Sequence, residues 1–475
     1  MSLFQREGQG FESPIPLTTS FSLPMSNIKK HLPLIFLFTT AFLIRLIGLN
    51  QSLWLDEATT AQTVKHFSFF DIVTVFTPTD FHPPVYYLFM KVWISLFGFS
   101  EIAIRFPSVI FSLVAGWIIY LIGRKNRSEK VGVVAACLFL FNPLIVYYSQ
   151  EARMYMMAVC LIALNFYLFQ EIVSGSKKGR QYVLFSTTLF LSFATFYGSI
   201  FYIGAVLLYL LWKKIYRLFF FAGGITLVTL VILAPFLITQ YLHSKILLSQ
   251  VVNWSQVLGK ATLKNLFLIP LKFATGRISL NAKELYYALG GIWTMILFLI
   301  VFLGARKRFD FLFFLVVPLV AGVIFSFLSP LLQYFRFLYL IIFLSLLAAV
   351  AVEKKQILQI LLIEVSLAWT LLYLLFPQYH REDWQRLHTQ LSSSYTVYII
   401  GSSSDPLRYY DSYRPMKPLE SVQSVKPKSR TIFVVPYTAD IHGVDYKKSL
   451  VSYGYILQKK LTVRGLEYEI WRSSL

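Results

Sequence analysis

Apolar runs of about 20 residues, each enough to cross roughly 30 Å of hydrocarbon as a helix, recur near 32–50, 103–123, 131–149, 154–172, 217–240, 285–304, 309–328, 335–352 and 356–376. The run 181–212 is too long for one ordinary span and short for two, at about 1.5 Å per residue. It reads as a tight hairpin turning near Tyr197-Gly198-Ser199, which brings the count to about eleven. The pattern changes after Pro377. From there to residue 475 the chain is polar, with strand-like runs TVYIIG and RTIFVVPY between turn-rich segments, which predicts a small α/β domain. The expected fold is therefore an all-α polytopic membrane protein with a C-terminal α/β domain.

Charge placement fixes the expected topology. Lys29-Lys30, Arg124-Lys125-Asn126-Arg127, Lys177-Lys178-Gly179-Arg180, Lys213-Lys214, Arg306-Lys307-Arg308 and Lys354-Lys355 fall at every second connection. Short basic loops stay cytoplasmic. A single span over 181–212 would throw Lys213-Lys214 and every later loop out of phase, whereas a hairpin puts all six clusters inside. The domains then read as a cytoplasmic N-terminal segment 1–30, a membrane domain 31–376 in the plasma membrane, and an extracytoplasmic domain 377–475. Met25-Ser-Asn-Ile-Lys-Lys resembles a natural start, so residues 1–24 are expected to be disordered or untranslated.

Composition agrees. With 56% hydrophobic and 14% charged residues the chain lacks the roughly 25% charge of a soluble surface. An aromatic content of 17% excludes a disordered chain, and two cysteines exclude a disulfide scaffold; Cys137 and Cys160 both sit inside spans as small packing residues. The net charge of +21 lies mostly at the cytoplasmic connections, so it signals topology and gives a nucleic-acid partner no support.

The candidate chemistry lies at the predicted outer ends. The first outer loop, 51–102, opens with Leu53-Trp54-Leu55-Asp56-Glu57-Ala58, where Asp56 is also placed to cap a helix starting near Ala58. It continues through His82-Pro83-Pro84, which fixes the backbone beside the imidazole, into an amphipathic segment with Lys91, Trp93 and Phe97 suited to the membrane surface. The second outer connection places Glu151 beside Arg153. Arg336 is the only charge between Asp310 and Glu353, and a lone charge in so apolar a stretch needs a partner. These side chains come from three connections to one side at similar depth. Carboxylates there supply a base or a hard-metal site; cations stabilise charge on a departing phosphate. The outer loop 243–284 carries Lys245, Lys260, Lys264, Lys272, Arg277 and Lys283 against Glu284, a basic surface for anionic lipid or an ordinary solvated loop.

LWLDEA, HPPVYYLFMKVW, EIAIRFPS leading to YLIGRK, and YYSQEARMY, in this order and spacing, resemble the C-superfamily glycosyltransferases, in the branch of protein O-mannosyltransferases and aminoarabinose lipid A transferases. The resemblance covers about residues 30–215. It implies transfer of a sugar from a polyprenyl-phosphate carrier to a lipid, glycan or protein acceptor on the outer face, with inversion. Asp56 would be the general base, with Glu57 and Glu151 in the catalytic cluster and a divalent cation possible in principle between Asp56 and Glu151. His82, where some relatives carry lysine, would join Arg153, Arg336 and Lys91 at the donor phosphate. Arg336-Phe337 stands where Arg-Tyr is usual.

The competing reading is a membrane transporter or lipid flippase, to which Arg45 in the first span and Glu364 in the last lend themselves. The sequence shows no internal repeat of the kind such folds use, and its charges gather at the outer end.

Overall fold

The computed structural model describes residues 25–474 apart from 177, 252, 281, 393 and 394; the expectation for residues 1–24 lies outside them. Helices occur at each of the eleven predicted spans. They are α1 (Met25–Leu46), then, beyond the first loop, α4 (Glu101–Asn126), the pair α5 (Glu129–Leu140) and α6 (Pro143–Ser149), α7 (Tyr155–Val173), α8 (Gly179–Thr195), α9 (Ile200–Trp212), α10 (Tyr216–Gln250), α12 (Lys283–Ala305), α13 (Phe309–Phe325), α14 (Leu340–Val352) and α15 (Gln356–Leu375). The first loop contributes α2 (Leu55–His66) and α3 (Val85–Phe97), and the loop after α10 contributes α11 (Leu263–Thr275). Among the described residues five helices are long and apolar enough to cross a membrane alone, or up to six with the bent pair; the apolar part of α1, Leu32–Leu46, and the helices at the other predicted spans are shorter.

Local chemistry accounts for the breaks. The run 181–212 divides at a 3-10 turn over Tyr197–Ser199, where the turn was expected. The run 131–149 bends by 62° between α5 and α6, because Asn142 caps the new helix through Leu144 N and Ile145 N and Pro143 occupies its first turn. The carbonyls freed at the bend are met inside the bundle: Arg45 Nη2 donates to Leu140 O at 2.9 Å and Thr370 Oγ1 to Phe141 O at 2.8 Å, as a low-dielectric interior requires. The run 335–352 is helical only from Leu340; Arg336 lies in a preceding 3-10 turn. The long α10 continues ten residues past its expected end at 240.

α4 sets the depth of the site. Ser100 caps it and Glu101 opens it, while Arg124 and Lys125 lie in its last turn, which suits the helix dipole at both ends. At 26 residues it spans about 39 Å. Its far end gathers several of the basic connections: Arg308 bonds Asn126, Arg127 and Ser128 bond Glu353, and Lys125 pairs with Glu171. The predicted phase of these connections is thus a common end of the bundle. α4 and α5 pack backbone to backbone, since a Cβ on Gly132 would meet Tyr120 O at 2.5 Å.

Beyond α15 the chain forms a five-stranded sheet in the order β2-β1-β3-β5-β4, from β1 (Val397–Ile399), β2 (Met416–Pro418), β3 (Thr431–Val435), β4 (Tyr455–Val463) and β5 (Leu466–Ser473). β1 is parallel to both neighbours and β5 antiparallel to β3 and β4, with apolar cores on both faces. The domain sits on the first loop: Tyr410 OH accepts from Leu53 N at 2.9 Å, Asp405 from Thr59 Oγ1 at 2.8 Å, and Ser52 Oγ from Gln385 N at 3.1 Å.

Candidate active site

The three acids of the sequence end in three different environments. α2 begins at Leu55, with Trp54 as its cap, and it is Glu57, not Asp56, that closes the first turn by accepting from Trp54 N at 3.4 Å. Successive helical residues point about 100° apart, so Glu57 turns inward, 1% exposed, while Asp56 turns outward. Arg105, in the first turns of α4, grips Glu57 with Nε at 2.7 Å and Nη2 at 2.5 Å, and Ala152 N adds a third bond at 2.8 Å. The same guanidinium donates to Leu49 O, Gln51 O and Ser52 O. Such a charge-assisted fork is strong and directional. It ties α4, α2 and the two loops flanking the site into one body.

The Asp56 carboxylate accepts no hydrogen bond among the described residues, and its side chain is 37% exposed. Arg153 Nη2 lies 3.7 Å from it. Arg153 also donates to Asp56 O and Thr60 Oγ1, both at 3.4 Å, and approaches His82 Nε2 at 3.3 Å. His82 Nδ1 faces Asp80 at 3.2 Å, and Tyr87 OH donates to the same Asp80 oxygen at 2.8 Å. Arg153 Nη2 is nearly equidistant from the two ring nitrogens, 3.5 Å from Nδ1, so the guanidinium stands over the imidazole while Nδ1 faces Asp80. Burial opposes the charge on Asp80, but His82, Arg153 and Tyr87 outweigh it and hold the carboxyl down at about 2. From α10, Gln240 Nε2 donates to Thr77 O and His82 O at 2.6 and 3.1 Å, fixing the turn that carries the imidazole.

Glu151 follows α6. Gln150 beside it donates to Arg45 O and Ile47 O, and Ser108 Oγ donates to Glu151 O. The carboxylate is buried; neither oxygen accepts a hydrogen bond among the described residues, and Arg381 Nη2 stands 3.8 Å away. Burial first, then the neighbouring Glu57, pushes its carboxyl up to about 8, against the pull of Arg277 and Arg153. A small cavity lined by Trp54, Glu57, Arg105, Tyr147, Glu151 and Arg381 adjoins it, with room for about one water.

Arg336 lies at the edge of the cluster. Its Nη1 donates to Leu258 O and Pro330 O, and neighbouring Phe335 packs on Tyr155 at 5.4 Å. Lys91 stands one turn beyond Tyr87 on α3 and makes no hydrogen bond or ion pair among the described residues. Three participants were given no role in the sequence, Arg105, Asp80 and Arg381, and Arg277 was read only as part of a basic loop surface. Arg277 bonds Tyr147 OH and stacks on its ring. From the C-terminal domain, Tyr437 OH donates to Glu382 Oε1 at 3.3 Å; burial raises the Glu382 carboxyl, with Asp56 adding to the effect.

The donor set does not fit a divalent cation. Among the described residues no three His, Cys, Asp or Glu side chains converge. Both oxygens of Glu57 are occupied, and guanidiniums stand beside Asp56 and Glu151.

The structure superimposes on that of ArnT from Cupriavidus metallidurans in the apo state with a TM-score of 0.59 at 12% identity, covering 93% of this chain and 98% of that one. The chain thus has the fold of ArnT. The same ArnT bound to undecaprenyl phosphate matches at 0.56 and 11% identity, covering 94% and 98%. The Archaeoglobus fulgidus oligosaccharyltransferase, in complex with Zn and sulfate, matches at 0.51 and 13%, covering 90% and 72%. In sequence, residues 81–239 match the dolichyl-phosphate-mannose-protein mannosyltransferase family; no curated protein matches. The family match and the ArnT-like fold together support a glycosyltransferase. The match begins at Phe81 and takes in His82, Arg105, Glu151 and Arg153; Asp56 and Glu57 precede it.

Proposed function

We propose that this chain transfers a sugar from a polyprenyl-phosphate carrier to a hydroxyl acceptor at the outer face of the plasma membrane, with inversion and with Asp56 as general base. The observation that carries the assignment is the division among the acids. Glu57 is saturated by Arg105, Glu151 is buried, and Asp56 alone combines an open carboxylate with a fixed cation 3.7 Å away. The ArnT that shares this fold binds undecaprenyl phosphate, which supports a lipid-phosphate donor.

In the proposed step the acceptor oxygen forms its bond to the anomeric carbon as its proton passes to an Asp56 oxygen. The bond from that carbon to the phosphate oxygen breaks on the opposite side, and its electron pair leaves with the lipid phosphate. Arg153 and Arg336, with Lys91 on α3, stabilise that charge. His82 and Asp80 hold the Arg153 fork in place, and Glu57 with Arg105 holds α2. Transport has weaker support. Arg45 is occupied by Ser112, Ala41 O and Leu140 O, and Glu364 lies on the exposed face of α15. Purified protein in vesicles with a radiolabelled polyprenyl-phosphate sugar tests the proposal: label should leave the lipid with the native chain. Retention of all label on every donor sugar tried would refute it.

A further inference from the structure

We propose that Arg381 is a built-in cation at the place where a divalent metal would otherwise join the carboxylates, so that transfer by this chain runs without a metal ion and depends on Arg381. A fold-mate is described in complex with zinc, which makes the identity of the cation here a question the side chains answer. Arg381 Nη2 stands 3.8 Å from Glu151 Oε2. Its guanidinium carbon lies 3.5 Å from the centre of the Trp54 ring and 5.9 Å from that of Tyr147. Trp54 caps the helix that carries Asp56, and Tyr147 belongs to the helix that leads into Glu151. The cation is therefore stacked between the two segments that supply the two acids.

Aromatic faces suit a guanidinium, which is planar and weakly hydrated. A hard divalent ion instead wants about six oxygen ligands, and zinc wants three or more side-chain donors. Here Glu57, the third acid, is consumed by Arg105 and Ala152 N. A metal between Asp56 and Glu151 would also meet Arg153 beside the first and Arg277, bonded to Tyr147, beside the second. The positive charge is already present as side chains, and Arg381 is the one that forms an ion pair with Glu151, at 3.8 Å. It acts as a positioning residue, fixing Glu151 and the Trp54 cap, and it arrives with the segment that leads from α15 into the C-terminal domain.

The inference rests on Asp56 and Glu151 marking the reacting face, but a binding measurement separates it from the transfer reading. Full-length native protein and Arg381→Ala are titrated with Mn2+ alone and followed by electron paramagnetic resonance. Sugar release from radiolabelled polyprenyl-phosphate mannose is measured with and without EDTA. The native chain should bind no stoichiometric Mn2+ and ignore EDTA. Arg381→Ala should lose release on the order of hundredfold, Mn2+ should not restore it, and Arg381→Lys, which keeps the cation, should recover most of it. Stoichiometric Mn2+ on the native chain, abolished by Glu151→Gln, would overturn the inference, as would native activity lost to EDTA and restored by Mn2+. Should Arg381→Ala fail to fold, these native-chain measurements decide alone. A native chain that releases no sugar from any donor defeats the transfer reading, and the Mn2+ titration still decides the identity of the cation.

Discussion

Arg105 holds Glu57 in a two-pronged grip, Nε to one carboxylate oxygen at 2.7 Å and Nη2 to the other at 2.5 Å, with both side chains buried. Breaking one side leaves the other as an uncompensated buried charge, which costs about 3–5 kcal/mol. Glu57→Gln and Arg105→Ala should each lower the melting temperature of the purified protein sharply and reduce the folded yield. An unchanged melting curve in both variants would show that the pair does not hold α2 to α4.

Asp56 should behave in the opposite way. Its carboxylate makes no hydrogen bond among the described residues, so Asp56→Asn should keep the unfolding free energy within about 0.5 kcal/mol of native. Transfer should fall by roughly 10²–10⁴-fold, the range a general base supplies, while binding of the polyprenyl-phosphate donor persists. Native turnover in Asp56→Asn would remove it from the role of base.

The chain Asp80–His82–Arg153 predicts an effect on donor binding. Asp80→Asn loosens the imidazole that supports Arg153, and the donor KM should rise about tenfold, the lower end of what supporting partners of site residues contribute. Because the Asp80 carboxyl is held down at about 2, its contribution to stability is present above the ordinary carboxylate range and is lost as pH falls from about 4 through about 2. Native protein should therefore lose more stability than Asp80→Asn over that interval in acid melting experiments.

Glu151 carries the reverse dependence. Its carboxyl rises from 4.5 to about 8 in the folded chain, so the folded state binds the extra proton, and its favourable contribution is complete below 4.5 and drains away as pH rises to about 8. Glu151→Gln, which stays neutral, should flatten this part of the melting temperature's pH profile. The two proteins should match most closely near pH 4.5 and diverge toward pH 8, with the variant the more stable. Parallel profiles would show that Glu151 ionises normally.

The helical framework was legible because hydropathy and basic loops are local signals. The division at Tyr197–Ser199 was read from charge phase, and the α/β domain from TVYIIG and RTIFVVPY, which became β1 and β3. The site was legible as a gathering of Asp56, His82, Glu151 and Arg153. Which acid would be open was not, because the answer lies in partners 48 residues away for Glu57 and Arg105 and far more for Glu151 and Arg381. Arg105 did leave a trace: a charge inside EIAIRFPS is as costly as Arg336 and demanded a partner on the same grounds. Asp80, two residues before His82, was visible but ordinary. Arg381 could not be found from pattern, since nothing local links it to Trp54.

The contacts of Ser52, Leu53 and Thr59 with Gln385, Tyr410 and Asp405 join one of the earliest stretches of the chain to one of the latest. During synthesis the helix bearing Asp56 is made more than 300 residues before these C-terminal contacts exist. The surroundings of Asp56 are thus complete only when the C-terminal domain has folded, and a half-made chain holds the acids without that part of their frame.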